Sequence, residues 1–594
     1  MKKIVLISGL CAALFSCSKS GGFLDNKTTA LDEAQTFSDS ARTIGFLGRI
    51  YVDIGFSFNK GRWSGTGSTE GATDDAEYAF SSTTNTVPIL YNGTISPISM
   101  SISGGMLDFW ATPYANIRRV NLLISKLPIT PLSAARQSTI TGEARFLRAW
   151  YYAQMMVAFG GVPMVGDNVF GIEDIINLPR GSFAELVTYI TTELDAASQL
   201  LPVLWTSAGG QTDADFGRVT RGACLALKSR VLLYAASPLF NGGAITSDAN
   251  LAKIVSYPTY DVSRWQAAAD AALAVMNYGK YSLWPGSVPS GVPPAGIGFY
   301  QTFLPTNGGR TENPELILGQ YRPSGRDFES FYNPGSRSGS RNMMPTQNIV
   351  DAFPMKNGKA ITDPTSGYNP ANPYVNRDPR FRYTVIYNGA NYATNTGAQA
   401  PVYTYNGAPT DGYAVGSTSS LTGYYTRKMC DSTFATGGSG NVDRPWPLIR
   451  YAEILLNYAE AINEAGQTSL AYKPMTDLRA RAGIDAGADN LYGIKAGMSK
   501  DEMRLFVQNE RRIELAYEDQ RWHDMRRWKI AMAVSNGYNK AMKITATGTA
   551  PNFTYTYQVV NTERLHVFRP EMYLLPIPND EIRKMPAMVQ NPGW

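Results

Sequence analysis

The chain has 594 residues, 44% of them hydrophobic, long enough to bury a substantial core in one large domain or two intimately packed ones. Its net charge of +5 is spread without a basic block, which argues against nucleic acid as a partner. Only 17% of residues are charged, against about 25% in an ordinary soluble domain, while 34 Tyr, 24 Phe and 10 Trp supply many rings, the Tyr rings with a polar tip suited to half-exposed binding surfaces.

The chain opens with Lys2 and Lys3, an apolar run from Ile4 to Phe15, and then Leu14-Phe15-Ser16-Cys17. A basic start and a short apolar core ending at small residues form a secretory signal, and the run is shorter than the about 20 residues that span a bilayer. Leu at −3, Ser at −1 and then Cys make a lipobox, so residues 1–16 are expected to be removed and Cys17 acylated. Cys11 leaves with the signal, so Cys224 and Cys430 remain. Cys224 lies in the apolar run 223–227 and reads as a buried thiol, with a Cys224–Cys430 disulfide left open. No CxxC pair occurs, which argues against a zinc or redox centre.

Helical periodicity follows. From Thr141, apolar residues at Phe146, Ala149, Trp150, Ala153, Met156 and Val157 lie on one face, and Gly160-Gly161 and Pro163 end the run. Arg221 to Ser237 reads as a central buried helix closed by Pro238, and 264–278 as an Ala-rich helix. Over 448–464, Arg450, Glu453, Asn457, Glu460 and Glu464 form a polar stripe on an otherwise buried helix. A further helix over 499–517 begins with the capping box Ser499-Lys-Asp-Glu502. Between about 57 and 105, and again between about 284 and 445, periodicity gives way to Gly, Pro, Asn, Ser and Tyr, with too many aromatics for disorder. The reading is a mostly α protein, a tetratricopeptide-like helical scaffold carrying large irregular but ordered loops.

The ordered motifs resemble the RagB/SusD family of outer-membrane nutrient-uptake lipoproteins found beside TonB-dependent transporters in Bacteroidota. They are Cys17 with Phe23-Leu24-Asp25, the run 142–152 with Phe159-Gly-Gly-Val-Pro163, and the run 221–234 with Asn313-Pro-Glu-Leu-Ile317. The runs 447–461, 509–516, 521–528 and 574–578 and the terminal Asn591-Pro-Gly-Trp594 complete the set. The resemblance implies a SusD-like fold in which residues 17–285 form an N-terminal helical region. Residues 286–594 would form a C-terminal region with a loop-rich insert, packed as one unit with the first. It also implies a lipid-anchored protein facing outside the cell, binding an oligosaccharide without chemistry and delivering it to a SusC-like TonB-dependent transporter. A peptide-capturing member of the same family is the alternative reading, and an exported glycosidase a more distant one.

Glu510, Glu514 and Glu518 recur at i, i+4, where like charges repel, so they need cations; Arg511, Arg512, Arg521, Arg526 and Arg527 are the expected partners. His523 and His566 read as structural, since no nucleophile elbow, HExxH, P-loop or dinucleotide fingerprint accompanies them. No catalytic or metal residue and no cofactor is expected, a loop calcium near Asp74-Asp75 being left open. Sugars bind on flat rings, with carboxylates, amides and arginine reading the hydroxyls. The family builds its ligand surface from the irregular segments. Here these offer Trp63, Asp74, Asp75, Tyr78 and Tyr91, then Trp284, Phe299, Tyr300, Tyr321, Arg322, Arg326, Phe328, Phe331 and Tyr332.

Overall fold

A computed structural model describes residues 32–55, 68–81, 86–102, 108–171, 173–205, 215–304, 313–322, 326–413, 419–433, 444–549 and 552–594. Cys17 and Trp63 lie outside the described residues, as do the side chains of Tyr321 and Arg322.

Helices carry the architecture. α1 (Ser40–Val52) starts at Asp39, whose carboxylate accepts the Arg42 backbone N–H, and it packs on α2 (Ala111–Lys126). α3 (Ala134–Phe159) is capped by the Ser133 hydroxyl, runs 26 residues and ends where Gly160 turns to φ 81°. Its length is about 39 Å, and beyond Ile140 it is buried on nearly every face, Glu143 and Arg148 included. α4 (Phe183–Leu200) lies along α3, α5 (Arg221–Ala236) along α4, and α6 (Ser263–Asn277) along α5. The α3–α4 approach depends on Gly142, where a Cβ would stand 2.9 Å from the Leu200 Cβ.

The mid-chain contributes short elements. β1 (Ala76–Tyr78) and β2 (Leu316–Arg322) precede α7 (Asp327–Tyr332), β3 (Met343–Pro345) and β4 (Arg444–Arg450). β1 pairs antiparallel with β3, Ala76 opposite Pro345, and β2 with β4, Leu316 opposite Arg450. β4 leads directly into α8 (Tyr451–Glu464), which packs on α6 and in turn holds α9 (Tyr472–Ala482) and α10 (Lys500–Glu514). The helices thus form one stack of neighbouring pairs, and one hydrophobic core extends from Phe37 to Met588. After α11 (Arg521–Arg527) comes a long hairpin, β5 (Gly537–Thr549) and β6 (Asn552–His566), fastened by Phe553, Tyr555 and Tyr557 against Tyr405 and Tyr374. Among the described residues no helix is long and apolar enough to cross a membrane.

The polar stripe of α8 is an anchor row for arginines, three of them buried and Arg504 half-exposed. Glu453 pairs with Arg230 at 2.6 Å, Asn457 accepts Arg511 at 2.7 Å, Glu460 pairs with Arg527 at 2.5 Å and Glu464 with Arg504 at 2.6 Å. Glu510 and Glu514 of α10 and Glu518 just after it are indeed neutralised, but by other cations than those nearest in sequence. Arg380 reaches Glu510 at 2.6 Å and Glu514 at 2.9 Å, Arg450 reaches Glu514 at 2.8 Å and Glu518 at 2.7 Å, and Lys428 holds Glu518 at 2.7 Å. Helical spacing is the reason. Residues at i and i+4 share one face, while Arg511 and Arg512 project from others and serve Asp524 and the Asp74–Asp75 pair.

Cys224 and Cys430 are both buried and not joined in a disulfide, which closes that reading. Two buried arginines cap the end of α3 without a carboxylate: Arg180 donates to Phe159 O at 2.7 Å and Gly161 O at 2.8 Å, and Arg526 to Val157 O at 3.3 Å and Ala158 O at 3.4 Å. Burial brings both guanidinium groups down to about 9.

Candidate ligand-binding site

Between α1, the first three turns of α3, the turn at residues 215–218 and β2 opens a hollow of about 770 Å³. Its floor is polar. Glu143, wholly buried on α3, accepts the Tyr51 hydroxyl at 2.7 Å and Arg218 Nη2 at 2.5 Å. Arg218 Nη1 also donates to Asp215 at 2.8 Å, and its guanidinium lies 3.2 Å from the Trp205 ring centroid. Burial first, and Glu143 beside it, push the Tyr51 phenol well above its ordinary pKa, so it remains a donor.

The hollow also has a ring wall. Phe216 is half-buried and lies against β2, where a Cβ on Gly319 would meet its Cζ at 3.1 Å. Gly217 makes that approach by turning to φ 87°, and a Cβ there would stand 2.8 Å from Gly319 O. On the rim, Val52 is 61% exposed and Ile44 39% exposed, and the Gln320 amide donates to Val52 O at 3.3 Å. A ring, an apolar rim and fixed amide, carboxylate and guanidinium groups are what a pyranoside requires, its C–H face on the ring and its hydroxyls on the polar groups.

Most side chains expected as ligand contacts are elsewhere. Asp74 pairs with Arg521 at 2.9 Å and Arg512 at 2.8 Å, and Asp75 with Arg512 at 2.5 Å, all four at least largely buried. Burial alone would raise the Asp74 carboxyl, but Arg512 and Arg521 hold it below its ordinary value. These two aspartates therefore bolt the segment at 68–81 onto α10 and α11; they are neither sugar contacts nor hydrolytic acids open to a substrate. Among the described residues no group of three or more His, Cys, Asp and Glu stands together as a metal site. Tyr78 is fully buried against Phe80, Tyr91 stacks on His566 at 5.0 Å, and Phe331 packs edge-on to Tyr332. Tyr300 stacks on Tyr383 at 5.0 Å and receives the Ser432 N–H at 2.9 Å. Phe299, Phe328 and Tyr332 are buried as well, Phe328 stacked on Trp446 at 5.7 Å. Short helical turns at Ile297–Gln301 and Asp327–Tyr332 rotate these rings inward, which corrects their reading as displayed faces. Trp284 is half-buried with its backbone N–H on Glu315, and Arg326 stands at the start of α7; neither lines the hollow. His523 is buried, and burial brings it down to about 3, so it is neutral at working pH.

The residues that sequence reasoning missed are Tyr51, Arg136, Glu143, Asp215, Phe216 and Arg218. What flagged the region was its neighbourhood: Tyr51 ends the helix before the early loop, and Gly319 and Gln320 border the mid-chain one. A second hollow of about 560 Å³ is walled by Trp110, Tyr114, Pro163 and Phe170. There Tyr114 donates to Pro163 O at 2.7 Å and Arg118 to Phe170 O at 2.9 Å.

A stacked-helix scaffold with a sugar-suited hollow beside irregular segments defines a ligand-binding protein. Residues 306–594 match the profile of the SusD family, and residues 73–233 match a second profile described as starch-binding associating with outer membrane. A SusD-like protein, P2, of Formosa agariphila is 24% identical over 510 residues, 84% of this chain and 83% of that protein. The crystal structure of a SusD-like protein from Bacteroides fragilis superposes with a TM-score of 0.75 at 25% identity, covering 95% of this chain and 99% of the other. A laminarin-binding SusD-like protein shares the fold at TM-score 0.59 and 20% identity, over 94% and 100% of the two chains. The chain belongs to the SusD/RagB family, whose members are carbohydrate-binding proteins rather than enzymes.

Proposed function

We propose that this chain is an outer-membrane lipoprotein, held through acylated Cys17 and facing outside the cell, that captures an oligosaccharide in the hollow beside Phe216. It then delivers the oligosaccharide to a SusC-like TonB-dependent transporter. The observation that carries the reading is the pairing of a half-buried ring with the Glu143–Arg218–Asp215 array on one hollow, in a chain of a carbohydrate-binding family. The lipobox at 14–17 supports the anchor. Stacking and hydrogen bonds are released without breaking a covalent bond, so capture is reversible and suits transfer to a partner.

The test is calorimetric titration of the purified chain with a glycan panel, alongside chromatography of the recovered ligand. Intact glycan is expected, with affinity lowered about tenfold by Phe216→Ala, the size of a lost ring contact. Retention of peptides but no glycan selects the peptide-capturing alternative, and release of shortened sugar selects the glycosidase. Mass spectrometry of the membrane-extracted N-terminus, protease shaving of whole cells and co-purification of a transporter check anchor, orientation and partner.

A further inference from the structure

Among the described residues five charged side chains border the hollow: Arg136, Glu143, Asp215, Arg218 and Asp327. Glu143 and Asp215 are both paired with Arg218, at 2.5 Å and 2.8 Å. Asp327 opens α7, where the free N–H groups of a first turn favour a carboxylate.

Arg136 differs from the other four. Among the described residues its guanidinium makes no hydrogen bond and no ion pair, although the side chain is half-buried on the wall of the hollow. Its backbone N–H is engaged by the Ser133 hydroxyl at 3.3 Å, so only the charged head is open. It also stands in the first turn of the 26-residue α3, at the positive end of the helix dipole, where a cation is disfavoured. Among the described residues no carboxylate offsets that cost. Two turns further along the same face, Glu143 is already neutralised, so an anion entering from the solvent side meets no uncompensated charge from α3. Guanidinium is the side chain best shaped to take a carboxylate or sulfate through two parallel N–H···O bonds.

We infer, on the basis of the glycan-binding reading above, that the captured oligosaccharide is acidic. The Arg136 guanidinium grips a uronic-acid carboxylate or a sulfate ester while the neighbouring sugar face rests on Phe216. Arg136 is then a specificity residue: it selects charged glycans from neutral ones of the same backbone.

The experiment titrates the full chain with neutral, uronate-bearing and sulfated oligosaccharides of matched length, at low and raised salt, using wild type, Arg136→Gln and Arg136→Lys. The expected result is an acidic ligand bound about tenfold or more above its neutral counterpart, a preference that shrinks with salt. Arg136→Gln removes the preference and Arg136→Lys keeps part of it. The uronate and sulfate arms distinguish the two anion sources. Neutral ligands bound as tightly as acidic ones, or a preference that survives Arg136→Gln, overturns the inference. If a neutral glycan binds and Phe216→Ala weakens it, the functional reading stands while the acidic specificity falls. If no member of the panel binds, the functional reading itself fails.

Discussion

Arg218 Nη2 meets Glu143 Oε1 at 2.5 Å across 75 residues of sequence, and this pair is both the floor of the hollow and the join between the turn at 215–218 and α3. Glu143 is wholly buried, so its charge depends on that one guanidinium and on the Tyr51 hydroxyl. Arg218→Ala is expected to cost about 3 kcal/mol, the penalty of a stranded buried carboxylate. It should also weaken glycan binding, because the turn bearing Phe216 loses its tether. Chemical denaturation with parallel titration checks both, and unchanged stability would show the pair to be solvated.

The ionic core makes stability acid-sensitive. Burial alone would raise Glu510, Glu514 and Glu518, but surrounding arginines and Lys428 hold all three below the ordinary 4.5. A carboxylate with a depressed folded pKa contributes stability that is complete above its unfolded value and is lost as pH falls through the folded one. The urea midpoint should therefore hold down to about pH 5 and drop steeply below about pH 4. Glu514→Gln lowers stability at neutral pH by about 3 kcal/mol, by leaving the arginines that share it, Arg380, Arg450 and Arg481, one carboxylate short, and makes the acid slope shallower. A wild-type midpoint flat into strong acid would contradict this account.

Phe299, Tyr300, Phe328, Phe331 and Tyr332 of the mid-chain segment are buried in its packing. Tyr300→Phe deletes the hydroxyl that receives the Ser432 N–H at 2.9 Å, and should cost about 1 kcal/mol with glycan affinity unchanged. Asp74→Asn should destabilise by loosening the contact with Arg512 and Arg521, with no hydrolytic activity in either protein to lose. A specific fall in glycan affinity for Tyr300→Phe at full stability would return that ring to the site.

Gly142 is a packing requirement. A Cβ there would lie 2.9 Å from Leu200 and 3.0 Å from Leu201, so Gly142→Val must push α4 from α3 at a cost of about 1–3 kcal/mol. The melting temperature reads this directly; a stabilised variant would mean that the helix preference of Val over Gly outweighs the crowding.

Some of the molecule was legible without coordinates. The polar stripe of residues 450–464 does face buried partners, the Ser499–Glu502 capping box opens α10, and Gly160 closes α3. The ordered motifs pointed to the family that the profiles match. All of these are short-range signals, set by 3.6-residue periodicity or by a cap within one turn, and they survive tertiary context because they agree with it.

Sequence alone, then, determined the helices α3, α5, α6, α8 and α10, the family, and the demand that Glu510, Glu514 and Glu518 be neutralised. Only the tertiary structure decided which cations meet them, that Tyr78, Tyr300 and Phe331 turn inward, and that Tyr51, Glu143, Phe216 and Arg218 converge on one hollow. The reason is physical. An aromatic residue in an irregular segment has the same local chemistry whether its face meets water or the core, and what decides between them is packing against residues distant in the chain, as Tyr51 and Glu143 are across 92 positions.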